Sequence, residues 1–453
     1  MTDRATWLDY LSERDSRASA RRAVAWDAYT ELAAGALLVL TVLFLLIGLS
    51  PMSQDDGQSA GGSAMRQIVL LGLAGLASPL ILLRFNRALA ILARSWAMLL
   101  VFGALAATAA WSAYPDVTIR RFIVYVILLI IALAIASVLD SPRKYLGPVM
   151  IAFTVTLLID YAVTVALPGR AFTPIGLAAL HASKNTAGMV AQMMSIVFAA
   201  AVVAERRPFR FWGLVLLTFM ALAFLALTLS KTSLGITALA VFGVIPVFVL
   251  ARQNKVIALL VAVGLVAIVG LIVFMTGALQ LTGPDWAELT TGDPTLTERD
   301  QIWRASVLHI SAHPMLGYGF GAQWSMLPIY HPLWYYAGFW TGNEENLNIL
   351  RQSHNGYLDI MIHGGVFLAT FVAIFVINTF WEIGTAMGKR SRDRWDIAGS
   401  AMFAAFFVSV LFSNMLESTL FFPEGLLGQF LVLFVLAHHS WQITATEGAR
   451  RRR

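Results

Sequence analysis

The sequence predicts an all-α protein that crosses a membrane about twelve times and carries one large outer loop with short helices. Three observations lead there. Of 453 residues, 58% are hydrophobic and only 13% charged, and mean hydropathy is +0.73, the balance of a polytopic membrane protein rather than of a soluble enzyme. Apolar runs long enough to span a bilayer recur at about 31–49, 67–83, 88–110, 120–139, 146–167, 186–204, 210–229, 232–251, 255–280, 357–380, 398–416 and 423–441. Most Lys and Arg then fall in alternate connections, as the positive-inside rule requires.

In chain order, residues 1–30 are polar and charged, too long and too acidic for a signal-peptide n-region. They read as a cytoplasmic helical segment resting near the membrane surface through Trp7, Leu8, Leu11 and Trp26. Nine spans occupy 31–280, a loop domain 281–356, three further spans 357–441, and a basic tail 442–453. The first outer connection, 50–66, is rich in Gly, Ser and Asp and reads as a connector. An even number of spans puts both termini on one side, expected to be the cytoplasm. Of the 32 Lys and Arg, only Arg66, Arg120, Arg121, Arg170, Lys184, Lys231, Arg299, Arg304 and Arg351 then lie outside. Cysteine is absent, which excludes disulfides, zinc thiolates and cysteine nucleophiles. The net charge of +6 follows from basic cytoplasmic loops and calls for no nucleic acid.

The misplaced cations carry the functional reading. Arg120, Arg121, Lys184 and Lys231 stand at the outer ends of spans, and Arg299 opens a predicted helix in the long loop. Cations kept there are costly unless they meet an anion. On that predicted helix Arg299 and Trp303 share a face, and Asp300 with Arg304 makes a local pair. His309 and His313 have a zinc-like spacing but no third ligand nearby, so packing or solvated histidines are the simpler reading. Gly317-Tyr318-Gly319-Phe320-Gly321 lacks the strand and the Lys-Ser/Thr of a phosphate loop and reads as a tight turn. The loop's tryptophans and tyrosines fit an interfacial belt or platforms for sugar rings, and both readings stay open. Just before the tenth span stands Arg351-Gln352-Ser353-His354-Asn355. An imidazole there is suited to taking a hydroxyl proton, or simply caps a helix. Asp160, Asp359 and Glu417 lie at or within spans. Asp359 is expected to pair with outer cations, and Glu417, in Glu417-Ser418-Thr419, to be solvated or functional.

Lys184-Asn185, Ser230-Lys231-Thr232, Arg299 to Trp303 and His354-Asn355, in this order across twelve spans, resemble the O-antigen ligase and O-antigen or exopolysaccharide polymerase superfamily. The resemblance covers roughly 110 to 440. It implies a metal-independent inverting glycosyltransferase of the membrane-embedded GT-C type, without cofactor, in the bacterial inner membrane with its site facing the periplasm. The donor would be a glycan on undecaprenyl diphosphate; the acceptor would be another glycan repeat for a polymerase, or lipid A-core for a ligase. Polymerisation is the first expectation. By resemblance His354 is the base, while Arg120, Arg121, Lys184, Lys231 and Arg299 meet the diphosphate. Asn185, Ser230, Trp303, Asn355 and Asp359 support them or face the acceptor. Three positions depart from the pattern. Lys231 replaces an Arg, keeping charge but losing its fork. His181 is separated from Lys184-Asn185 by Ala182-Ser183, and Glu298 replaces a Gly. A lipid-linked glycan transporter is the rival class, but its site would sit at the bilayer midplane rather than at the outer ends of spans.

Overall fold

A computed structural model describes residues 3–48, 64–254, 256, 299–325, 332–335, 342, 344, 347, 350–389, 393–423 and 425–450, the side chains of 3–24, 64, 253, 325, 332, 335, 449 and 450 excepted. The chain is an all-α bundle. Its helices are α1 (Asp3–Ile47), α2 (Ala64–Leu83), α3 (Phe85–Arg94), α4 (Trp96–Ala107), α5 (Pro115–Val138), α6 (Pro142–Ala166), α7 (Pro168–Ala171), α8 (Lys184–Ala204), α9 (Pro208–Thr228), α10 (Lys231–Ala238), α11 (Ile245–Gln253), α12 (Arg299–Ala312), α13 (Gly356–Gly388), α14 (Arg394–Ser413) and α15 (Leu426–Arg450). A π-helical turn, Leu239–Val244, joins α10 to α11. The strand content among the described residues is one hairpin, β1 (Phe172–Thr173) against β2 (Gly176–Leu177), with Phe172 opposite Leu177.

Local chemistry sets the helix starts. Proline opens α5, α6 and α9, where its missing N–H is an orphan in any case. Elsewhere a side-chain cap does so: Ser183 accepts from the Thr186 N–H, Asn355 from those of Tyr357 and Leu358, and Asp393 from that of Trp395.

Among the described residues ten helices are long and apolar enough to cross a membrane, and α3 with α4 passes the same test as a pair bent by 80°, a broken span or a re-entrant loop. The ninth expected span, 255–280, lies outside the described residues. Arg252 and Arg299, on either side of it, stand at opposite ends of α14: Arg252 pairs with Asp396 at its start, and Arg299 with Glu417 beyond its finish. The bundle thus has two distinct ends. One holds the ion pairs Lys144–Glu31, at 2.6 Å, and Arg87–Glu447, at 4.0 Å. The other holds α12 and the starts of α8 and α13.

In the centre α15, α8 and α14 are the most enclosed crossings, while α9 turns Phe209, Trp212, Leu216 and Phe219 outward. Between helices in lipid, close contact replaces the hydrophobic drive, so small residues mark the seams. Gly188 of α8 lies so near α10 that an added Cβ would sit 2.8 Å from that of Ser230.

Two expectations needed correction. The third span, read as 88–110, is broken: α3 and α4 meet at 80° around Ser95. The Ser95 hydroxyl is buried between the Ile91 carbonyl, at 2.8 Å, and His439 Nδ1, at 2.7 Å, polar company that stabilises a corner rather than a straight crossing. The tenth span, read as 357–380, runs on to Gly388 and is interrupted at Gly365, whose φ of 57° favours glycine. The backbone groups freed by that break are taken up by the glycine-rich turn. Val366 N–H donates to the Pro314 carbonyl at 2.9 Å and Phe367 N–H to that of Met315 at 3.0 Å. The N–H groups of Tyr318 and Gly319 donate in return to the carbonyls of Ile362 and His363. This exchange is how irregular backbone is tolerated beside lipid. Residues 314–321 therefore form a tight turn, as read, but one wedged against a spanning helix.

Candidate functional site

Four segments from distant parts of the chain meet at the α12 end of the bundle, and a carboxylate joins them. Glu417 lies in the turn after α14, held by its N–H to the Ser413 carbonyl at 2.9 Å. Its Oε1 accepts from Arg299 Nη2 at 2.8 Å and from Asn185 Nδ2 at 2.9 Å. Its Oε2 lies 3.1 Å from His354 Nδ1 and 3.5 Å from Gln352 Nε2. Arg299 also donates through Nη1 to the Leu416 carbonyl at 2.6 Å. Burial pushes the Glu417 carboxyl up, but the His354 hydrogen bond and charge, with Arg299, outweigh it and hold the group below its ordinary range. Glu417 is therefore ionised near neutral pH. The sequence reading left it between a solvated and a functional residue; the structure removes solvation, since its side chain is only 12% exposed.

An ionised carboxylate only accepts hydrogen bonds, so the proton on His354 sits on Nδ1. In the neutral ring Nε2 then carries the lone pair, and among the described residues no group takes it. His354 itself has φ of 52°, a left-handed conformation uncommon for a non-glycine residue and characteristic of functional sites. Its neighbours hold it there. Asn355 caps α13, Trp303 Nε1 donates to the Ser353 carbonyl at 3.1 Å, and Ser353 N–H donates to Asp359 Oδ2 at 3.1 Å.

Asp359 departs from expectation. Among the described residues it pairs with no cation; it is buried beneath the loop and accepts from Trp324 Nε1 at 2.8 Å, from Ser353 and from the Ser418 hydroxyl. It ties the two segments carrying His354 and Glu417 to one point. Trp324, Ser418 and Gln352 had no separate signal in the sequence.

The cations divide into two groups. Lys184, exposed in the first turn of α8, donates to the Ile175 carbonyl at 3.2 Å and precedes Asn185 directly. Lys231 is exposed at the start of α10, and its neighbour Ser230 is buried against Gly188, one turn along α8 from Lys184. Two helix N-termini, each favourable to anions, thus bring Lys184 and Lys231 to one side of the Glu417 cluster. Arg120 instead pairs with Asp116 at 3.2 Å in a surface contact, and Arg121 binds the Gly321 carbonyl behind the glycine-rich turn. His181, set apart from Lys184-Asn185 by two residues, is buried against Asp160 at 3.2 Å.

Within the loop, Asp300 and Arg304 form the expected pair at 3.6 Å. His309 packs its ring beside Gln323 and edge-on to Tyr318, and His313 also meets Tyr318. Among the described residues no three His, Asp or Glu are grouped to hold a metal.

A comparison with known families bears on what kind of site this is. Residues 218–374 match the O-antigen ligase family. Over that stretch the chain is similar to O-antigen ligases. The stretch spans Ser230, Lys231, Arg299, Trp303, His354, Asn355 and Asp359, while Asn185 and Glu417 join it from either side in sequence. The match supports a glycan-transferring function of the O-antigen ligase and polymerase type, with lipid-linked glycan substrates. No curated protein matches the chain.

Proposed function

We propose that the protein works as a metal-independent inverting glycosyltransferase with His354 as general base. In this reading the loop end of the bundle faces the periplasm, and both termini face the cytoplasm of a bacterial inner membrane. The donor is a glycan on undecaprenyl diphosphate. Its acceptor hydroxyl gives its proton to His354 Nε2, and the freed oxygen attacks the anomeric carbon. The bond from that carbon to the diphosphate oxygen breaks, and the electron pair leaves on the diphosphate. Lys184 and Lys231, with the N-termini of α8 and α10, stabilise that negative charge, electrostatic help of the kind that matters most where charge develops. Arg299 supports the site through Glu417 rather than through phosphate.

The observation that carries the reading is the Glu417 contact to His354 Nδ1, which fixes the tautomer able to accept a proton. The asymmetric Lys and Arg distribution supports the orientation. Repeat-unit polymerisation is the product proposed first. Ligation to lipid A-core is the second reading, favoured by the ligase description of the matching family.

Purified protein offered a lipid-linked donor, alone or with lipid A-core, tests both. Longer glycans from donor alone identify a polymerase; product that requires lipid A-core identifies a ligase. Transfer is expected to persist in excess chelator and to be lost in His354→Ala. Transfer by His354→Ala at the wild-type rate would remove the base assignment.

A further inference from the structure

The other end of the bundle holds a second concentration of charge that glycan transfer does not use. Arg94 closes α3, Arg252 lies near the end of α11, and Lys389 follows α13; His438 on α15 stands among them. Lys389 lies within the electrostatic field of Arg94 and Arg252, and His438 within that of all three. Among the described residues two carboxylates answer these three cations. Glu382 Oε1 is 3.7 Å from Arg94, and its Oε2 is already engaged by His439 at 2.6 Å. Asp396 takes one arm of Arg252 at 3.3 Å.

The balance of hydrogen bonds is uneven in the same direction. Among the described residues, Arg252, with a side chain only 2% exposed, leaves Nε and Nη2 buried without a partner. Arg94 Nε is in the same condition, and so are both ring nitrogens of His438, whose ring lies flat on Phe403 at 4.2 Å. Buried polar groups left this way are costly, more so when charged, so several on three helices, beside Lys389, describe a place built for an acceptor. Arg94 and Lys389, at the rim, leave a way in.

We propose that Arg94, Arg252, Lys389 and His438 form an anion site for a phosphate group, distinct from the glycan-transfer site and at the opposite end of the bundle. A tetrahedral phosphate accepts from several directions, as a guanidinium pair, an ammonium and an imidazole require. The group can arrive on an anionic lipid headgroup from the adjoining leaflet or as free phosphate. Bound there, it ties the break at Ser95 to the ends of α11 and α13 and to the middle of α15.

The test uses full-length protein in phosphatidylcholine nanodiscs, with and without phosphatidylglycerol, and separately with added inorganic phosphate. Native mass spectrometry reads bound lipid, and thermal unfolding reads stabilisation by either species. Wild type is expected to retain phosphatidylglycerol or to be stabilised by phosphate; the lipid arm alone responding identifies a headgroup, the phosphate arm alone free phosphate. Arg252→Gln is expected to weaken the response on the order of tenfold, the loss of one charge-assisted hydrogen bond. If that buried variant does not fold, the rim variants Arg94→Gln and Lys389→Gln carry the test, with Arg84→Gln as a surface control. No response in wild type, or an equal response in the rim variants and the control, would overturn the proposal.

Discussion

Glu417 determines what His354 can do, because the atom facing Nδ1 selects the tautomer. A glutamine at 417 has nearly the same shape, yet its amide can present an N–H to Nδ1 and leave Nε2 protonated, unable to act as base. It also removes the ion-pair partner of Arg299. Glu417→Gln is therefore expected to slow transfer by roughly 10²-fold or more, within the range general-base catalysis supplies. Donor KM should change little, and Glu417→Asp should recover part of the rate. A Glu417→Gln variant as fast as wild type would show that the contact to His354 is structural only. His309 offers a second test at this scale. Burial, and then the nearby charge of His313, lower it to about 4 from an ordinary 6.5. The fold favours the neutral ring, so between those values the unfolded chain binds a proton that the folded chain does not. Its contribution is complete above 6.5 and is lost as pH falls towards 4. The protection of α12 amides against hydrogen exchange, corrected for the intrinsic pH dependence of exchange, is expected to fall between about pH 7 and about pH 5, and to do so less in His309→Asn. An equal fall in both would assign the effect elsewhere.

At the scale of elements, the seam between α8 and α10 sets the distance between Lys184 and Lys231. Gly188→Ala puts a methyl 2.8 Å from the Ser230 Cβ, and overpacking of this kind costs about 1–3 kcal/mol. The two helices must separate, so donor KM is expected to rise several-fold, with a lower melting temperature. Ser230→Gly in the same chain removes the opposing Cβ and is expected to restore part of both, a coupling that a double-mutant cycle measures. Additive effects would mean that the seam does not control the pair. The same scale explains what could be read beforehand. Spans were legible because each is a local apolar run, and His354, Arg299 and Asn185 because each stands conspicuously at a span end or loop boundary. The corner at Ser95 was hidden, since it depends on His439, 344 residues away. Glu417 was hidden for the same reason: a carboxylate in a short Glu-Ser-Thr turn looks solvated until Asn185, 232 residues earlier, and Arg299 close over it. Arg120 and Arg121 shared the span-end position of Lys184, yet one lies four residues from Asp116 and the other meets a turn that only folding brings near.

For the whole molecule, the assignment of faces decides whether the Glu417 cluster meets exported glycan, and the chain is suited to a direct measurement. It contains no cysteine, so any single cysteine introduced is the only thiol present. Arg304, with a side chain 74% exposed on α12, marks the loop end. Asp27, 62% exposed near the start of the first crossing, marks the other. Neither belongs to the glycan-transfer cluster or to the proposed anion site. In intact cells stripped of the outer membrane, an impermeant maleimide is expected to label Arg304→Cys at once and Asp27→Cys only after the inner membrane is opened. That pattern requires the cluster to face outward, where no nucleotide sugar is at hand and the activated diphosphate of the donor must supply the driving force. The reverse pattern would turn the site to the cytoplasm and place the second cation cluster outside. It would sink the periplasmic transferase reading while leaving the geometry of His354 and Glu417 as it is.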